Sequence, residues 1–242
     1  GTTVVGHPTD RNVFFFGHGS GGLWKTEAAG TYWIPAGAGQ FNYASVGAMA
    51  ISEKNPDIMY VGLGEPNMRQ SVSWGDGMYK STDGGETWNK VLYKNEGTGA
   101  IDLVMSPEDP DILFAALWEF ERKAWGAKTG GPDSGIWKTT DGGESWEEIS
   151  RNDGLPEGAM GRIGLTMSAD DPDRVYALVD SETQQGLYRS DDLGATWRFV
   201  TADANITARP FYFYHLEEDP SNSDHFWGPG NKMWSYKDGG QR

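Results

Sequence analysis

The sequence contains no cysteine, which excludes disulfide staples, a thiolate nucleophile and any thiolate metal site. Stability has to come from packing and hydrogen bonding alone. No apolar run approaches the roughly 18 residues needed to span a bilayer, so no membrane insertion is expected. The opening residues GTTVVGHPTD carry neither the basic start nor the apolar centre of an export signal. Cations are scarce. Lys and Arg number 20 against 35 Asp and Glu, a formal charge of −15, and such a surface repels a phosphate backbone, which argues against a nucleic-acid partner. The four histidines, His7, His18, His215 and His225, are scattered over turns and strand ends, so neither a metal nor a cofactor is expected. The glycine-rich stretch 17 GHGSGG 22 lacks the following Lys-Ser/Thr of a phosphate loop.

Turn formers and aromatics are plentiful. With 34 Gly, 12 Pro and 11 Trp at 37% hydrophobic residues, the chain is too apolar for disorder and too rich in turns for a helical bundle. Three segments share one pattern of Ser/Thr, any, Asp, any, Gly, any, Thr/Ser, Trp: 81 STDGGETW 88, 139 TTDGGESW 146 and 190 SDDLGATW 197. A worn copy, 26 TEAAGTYW 33, has Ala28 in place of the aspartate, and a fifth, 235 SYKDGGQR 242, begins at the end of the sequence. The copies recur about every 50 residues. In each, the Asp carboxylate can accept backbone N–H groups across the turn while Gly supplies positive φ. The structural set is therefore Asp83, Gly85 and Trp88; Asp141, Gly143 and Trp146; Asp192, Gly194 and Trp197, with the tryptophans expected in the layer between neighbouring sheets.

A second turn precedes each of these: 52 SEKNPDIMYVG 62, 106 SPEDPDILFAA 116 and 168 SADDPDRVYAL 178, preceded in turn by 46 VGAMAIS 52, 100 AIDLVMS 106 and 162 RIGLTMS 168. Alternating segments such as 77 GMYKS 81 flank the aspartate turns. One unit is thus four antiparallel strands, and five units fill the chain. The expected fold is all-β, a β-propeller of about five four-stranded blades forming a single domain over 1–242, with approximate blades 1–38, 39–94, 95–152, 153–203 and 204–242. The last blade has residues for only three strands. An exposed strand edge is expected there, or a strand supplied by flanking sequence or a partner chain.

These motifs, with 19 GSGGLWKT 26, 71 SVSWGDGMYKSTDGGETW 88 and 130 GGPDSGIWKTTDGGESW 146, resemble the Asp-box, or BNR, repeat propellers. That superfamily includes bacterial sialidases, xyloglucan-cleaving glycosidases and sortilin-type VPS10 receptors. The resemblance is nearest to bacterial secreted sortilin/VPS10-like or glycosyl-hydrolase-like BNR proteins. It implies a secreted, periplasmic or envelope-associated protein, and a fold that in relatives has six or more blades.

The resemblance also implies a ligand site at one mouth of the central channel, where the loops 65–76, 117–134 and 180–185 converge. Glycoside hydrolysis needs two carboxyl groups about 5 to 9 Å apart, and the candidates are Glu65, Asp76, Asp102 and Glu119. Asp102 stands out within an otherwise apolar inner strand, where it serves either channel chemistry or a hydrogen bond to the adjacent blade. Trp74, Trp118 and Trp125 suit stacking on a sugar or holding a peptide, with Arg69, Arg122, Arg162 and Arg209 as further ligand contacts. Arg69, Arg162 and Arg209 with Tyr212 and Tyr214 supply the residue types of a sialidase, but the characteristic Arg-Ile-Pro segment is absent. The leading expectation is a non-catalytic binding or structural propeller with a peptide, protein or glycan ligand. The alternative is a glycoside hydrolase acting on a polysaccharide through a carboxylate pair.

Overall fold

The computed structural model describes residues 2–68 and 71–240. Its architecture is an all-β propeller of five antiparallel sheets, four of them four-stranded and the last three-stranded. The first sheet is β1 (Thr3–Gly6), β2 (Phe14–His18), β3 (Gly22–Thr26) and β4 (Ile34–Ala36). The second is β5 (Val46–Ile51), β6 (Met59–Leu63), β7 (Gly77–Ser81) and β8 (Asn89–Leu92). The third contains β9 (Thr98–Met105) and β10 (Leu113–Glu119). A separate hairpin follows, β11 (Glu121–Lys123) with β12 (Gly126–Lys128), before the sheet resumes with β13 (Gly135–Thr139) and β14 (Glu147–Glu148). The fourth is β15 (Met160–Met167), β16 (Val175–Ser181), β17 (Gly186–Ser190) and β18 (Arg198–Thr201). Two single-turn helices, α1 (Ala204–Thr207) and α2 (Pro210–Phe213), lead to β19 (Glu217–Asp219), β20 (Asn222–Pro229) and β21 (Met233–Tyr236). In every sheet the strands pair in chain order, from the inner strand outward. The three-stranded last sheet agrees with the strand accounting from sequence.

The core is divided among the gaps between consecutive sheets. Phe15 and Leu23 pack with Val46, Met59 and Trp88; Tyr60 and Met78 with Leu103 and Leu113; Phe114 and Ile136 with Ile163 and Tyr188; Tyr176 and Leu187 with Leu216 and Phe226. The second, third and fourth sheets therefore each contribute to two such layers, and the first and last to one each. Trp88 and Trp197 are buried in these layers, Trp146 is half-buried, and Trp33 of the worn copy is exposed.

The aspartate turns form as their chemistry demands. Gly85, Gly143 and Gly194 adopt φ of 88°, 86° and 81°. Their N–H groups donate to Ser81 Oγ, Thr139 Oγ1 and Ser190 Oγ at 2.9, 2.9 and 2.8 Å. The carboxylates of Asp83, Asp141 and Asp192 accept the N–H of Thr87, Ser145 and Thr196 at 2.9, 2.9 and 2.8 Å. Hydrogen bonds to Thr87 and Ser145 hold the Asp83 and Asp141 carboxyls down at about 2. Each turn is also tied to the Pro-marked turn of its own sheet, through Ala29 N to Asn12 O, Gly84 N to Asp57 O, Gly142 N to Asp111 O and Leu193 N to Asp173 O, at 2.9 to 3.1 Å. One end of the propeller is therefore a repeated hydrogen-bonded rim, and variation is left to the other end.

Candidate functional site

The inner strands run from the variable end toward that rim, and three of them carry one extra residue near their start. Register shifts fall between Val46 and Ala48, between Ala116 and Leu117 opposite Asp102 and Ala100, and between Met160 and Ile163. A bulge of this kind leaves one residue outside the ladder and re-aims its neighbours. Inside the ring of inner strands lies a cavity of about 700 Å³, walled by β1, β5, β9, β15 and β19 and by the loop residues Pro66, Asn67, Tyr212, Phe213 and His215.

Asp102 faces this cavity. Its Oδ1 accepts Leu103 N and its Oδ2 accepts Leu165 N of the adjacent blade, both at 2.9 Å. The bond to Leu165 is the interblade contact that the sequence reading had weighed. Burial pushes the carboxyl up, against the opposing effects of His215, the two N–H donors and Arg162. The bulge at Ile101 leaves Asp102 paired with Ala116 and Ala100 with Leu117, so Ala100 and Asp102 do not alternate regularly along the strand. At the equivalent level the neighbouring inner strands carry only Ala48 and Gly164.

Arg162, His215 and Glu217 line the same cavity as Asp102. Arg162 is only 6% exposed. Its Nη1 donates to Pro66 O of the second sheet's loop, its guanidinium lies 5.9 Å from the Trp118 ring, and its Nε is buried without a partner. Burial lowers it to about 10, with Asp102 opposing. His215 Nε2 lies 3.4 Å from Glu217 Oε2. That hydrogen bond raises the imidazole, burial opposes it, and the charge of Asp102 adds to the rise. Asp180, at the end of β16, is a second carboxyl that burial raises, to about 6. It falls inside the loop segment 180–185 named from sequence but was not singled out there, because burial is not visible in a polar loop sequence.

The other candidates serve the loops. Asp76 is buried and accepts from Asn42 N (2.8 Å), Asn42 Nδ2 (2.9 Å), Tyr79 OH (2.7 Å) and Lys90 Nζ (2.5 Å). Burial pushes its carboxyl up, but these hydrogen bonds outweigh it and leave Asp76 below the usual range. Glu65 Oε2 accepts Ser73 N at 2.8 Å. Glu119 pairs with Lys128 and accepts Asp133 N. Trp118 is fully buried against Phe120 and donates to Thr129 O at 3.1 Å, so its ring belongs to the core. Arg122 is half-buried with an unpartnered Nε. Trp74 is exposed, and Trp125, at the tip of the β11–β12 hairpin, is 85% exposed. Arg209 lines a separate, smaller cavity, Tyr214 is buried against Gln185, and Arg69 lies outside the described residues. Among the described residues no group of His, Asp and Glu could hold a metal ion, and no helix is long and apolar enough to cross a membrane.

No family model matches the chain. Among curated proteins it is 25% identical over 228 residues to a xyloglucanase of Paenibacillus sp, covering 81% of this chain and 20% of that protein. It is 25% identical over 240 residues to the oligoxyloglucan-reducing end-specific xyloglucanase of Emericella nidulans, covering 92% of this chain and 26% of that protein. The chain thus spans about a quarter of the length of such relatives. Among solved structures, the GH74 xyloglucanase of Xanthomonas campestris superposes over 100% of this chain and 37% of that one, with a TM-score of 0.71 at 18% identity. The GH74 enzyme of Niastella koreensis superposes over 96% of this chain and 35% of that one, with a TM-score of 0.65 at 18% identity. These findings correct two expectations. The resemblance to Asp-box or BNR propellers nearest the sortilin/VPS10 type gives way, because the turn motif is a local hydrogen-bonding solution that marks a hairpin and not a lineage. The non-catalytic reading gives way because the matched curated proteins carry the names of xyloglucan-cleaving enzymes. The chain is a five-bladed propeller with the fold of the GH74 xyloglucanases, and its sequence is similar to about a quarter of such an enzyme.

Proposed function

We propose that this propeller is part of an extracellular glycoside hydrolase that cleaves a xyloglucan-type polysaccharide, with Asp102 as general acid and Glu217 as the second carboxylate. The observation that carries the reading is the sequence similarity to xyloglucanases over 81% to 92% of the chain. The geometry supports the roles. Hydrolysis of a glycosidic bond needs one carboxyl that keeps its proton near neutral pH and another that stays in water to activate a nucleophile or attack directly. Asp102 is held in a desolvated channel wall and its carboxyl is raised. Glu217 is exposed on β19, lines the same cavity, and lies beside His215. In the reaction Asp102 gives its proton to the leaving oxygen as the glycosidic bond breaks, while Glu217 takes a proton from the water whose oxygen bonds to the anomeric carbon. Arg162 then stabilises the carboxylate left behind, and His215 orients Glu217.

Release of reducing ends from xyloglucan by the wild-type chain tests the reading, beside Asp102→Asn and Glu217→Gln. Each variant should lose about 100-fold or more of the turnover. Wild-type rates in both variants would sink the assignment of Asp102 and Glu217, and no cleavage by the wild type would sink the placing of both reacting carboxylates on this chain.

A further inference from the structure

We propose that Asp180 is a positioning residue, whose carboxylate caps the bulge of β15 and thereby holds the Arg162 side chain in the channel wall that it shares with Asp102. Met160 pairs with Ser181 and Ile163 with Val179, so Gly161 and Arg162 together oppose the single residue Asp180. An extra residue in a ladder leaves backbone groups unpaired, and a buried unpaired N–H is costly. Asp180, the residue opposite the bulge, brings its carboxylate down over that backbone, where it can answer the need.

The fit is close. A Cβ on Gly161 would lie 2.1 Å from Asp180 Oδ2, so glycine is required for the carboxylate to come down onto the strand. The loop after β12 seats against the same bulge through Gly131 N to Met160 O at 3.1 Å. With its N–H fixed, Arg162 directs its side chain away from its own sheet. It reaches the second sheet's loop at Pro66 and lies beside the Trp118 ring of the third. A buried guanidinium holding one carbonyl and an unpartnered Nε does not keep such a position by its own bonds. What fixes it is the backbone beneath it. The functional meaning of this arrangement rests on Asp102 being the acid of the proposed hydrolase, since Arg162 is one of the positive charges opposing the rise of that carboxyl.

The test does not need turnover. Hydrogen exchange of the Arg162 Nε–H, identified by its absence in Arg162→Lys, is measured against the backbone amides of Ala177 and Leu178, which report opening of the whole sheet. Asp180→Asn keeps an accepting oxygen and should retain wild-type protection. Asp180→Ala, and Asp180→Val as a variant that fills more of the space without an acceptor, should exchange Nε–H at least about tenfold faster while Ala177 and Leu178 stay protected. The Asp102 carboxyl, followed by carbon NMR and identified by Asp102→Asn, should titrate about 0.5 pH unit higher in both. Unchanged Arg162 protection in either folded variant would overturn the inference, as would a loss of protection in Asp180→Asn equal to that in Asp180→Ala. A protein that shows the expected exchange but cleaves no xyloglucan would keep the positioning role and defeat the placing of both reacting carboxylates on this chain.

Discussion

The aspartate turn has two halves, and they should not contribute equally to stability. In the fourth sheet the hydroxyl half is Ser190, whose Oγ accepts Gly194 N at 2.8 Å and Asp192 N at 3.3 Å. The carboxylate half is Asp192, which accepts Thr196 N at 2.8 Å and Thr196 Oγ1 at 2.6 Å. Gly194 is buried beneath Trp197, whereas Thr196 is exposed. Ser190→Ala leaves a buried N–H with no acceptor, at a cost of about 2 kcal/mol. For a domain of this size that lowers the melting temperature by about 4–8 °C. Asp192→Asn keeps one accepting oxygen for Thr196 N, and water replaces what is lost, so its cost is under about 1 kcal/mol.

The first sheet already carries the outcome of a similar substitution. There the aspartate position is Ala28, yet Thr26 Oγ1 still accepts Gly30 N at 3.0 Å and the turn keeps its shape, with Gly30 at φ 85°. Thermal melts of the two variants at pH 7, followed by circular dichroism, decide the matter. If Asp192→Asn melts at or below Ser190→Ala, the argument that the buried donor dominates is wrong.

Two further outcomes follow from the same reasoning. Asp180→Asn should raise stability at pH 7.5 by about 1–2 kcal/mol, after discounting for partial exposure, and change little at pH 4. The sign follows from a carboxyl raised from 3.8 to about 6 in the folded chain: between those values the unfolded chain ionises first, stability falls as pH rises, and the asparagine removes that loss. Melts at the two pH values check this, and equal gains at both would contradict it. In the first sheet, Ala28→Asp with Tyr32→Thr rebuilds the missing carboxylate half, because Tyr32 occupies the place of Thr87 and is exposed. The double variant should melt about 2–4 °C higher, and no gain would mean that the carboxylate half contributes nothing here.

What the sequence showed of the fold, it showed at the turns. Asp83, Asp141 and Asp192 and their glycines each stand four residues from their partners, and interactions that short leave a readable pattern. Burial of Trp88 and Trp197 followed from the same spacing. The site was less legible because its determinants are contacts between distant strands. Nothing local marks the extra residue in β15 or tells that Asp180 lies beneath it. Trp118, read as a ligand contact, is core because Phe120 folds its loop back over it. His215 was read only as one of four scattered histidines and Glu217 was not singled out, because their place in the channel wall depends on the course of the chain through α1 and α2.

The two ends of each blade therefore answer to different demands. At the rim, the turn and the Pro-marked loop bind each other through one backbone bond per sheet in the first four blades, and substitution there is limited to changes that leave those bonds, as Ala28 does. At the opposite end the inner strands share a bulge near the same level but not its residues, with Gly47, Ile101 and the Gly161–Arg162 pair at successive blades. A bulge detaches one residue from the ladder, so its side chain can change without breaking the pairing of the strand. That freedom is what admits Arg162 into the wall, whereas Asp102 stands in the ladder opposite Ala116, at a level where β5 and β15 carry only Ala48 and Gly164. On this account the channel residues, rather than the turn motifs, are where the chemistry of this propeller is decided.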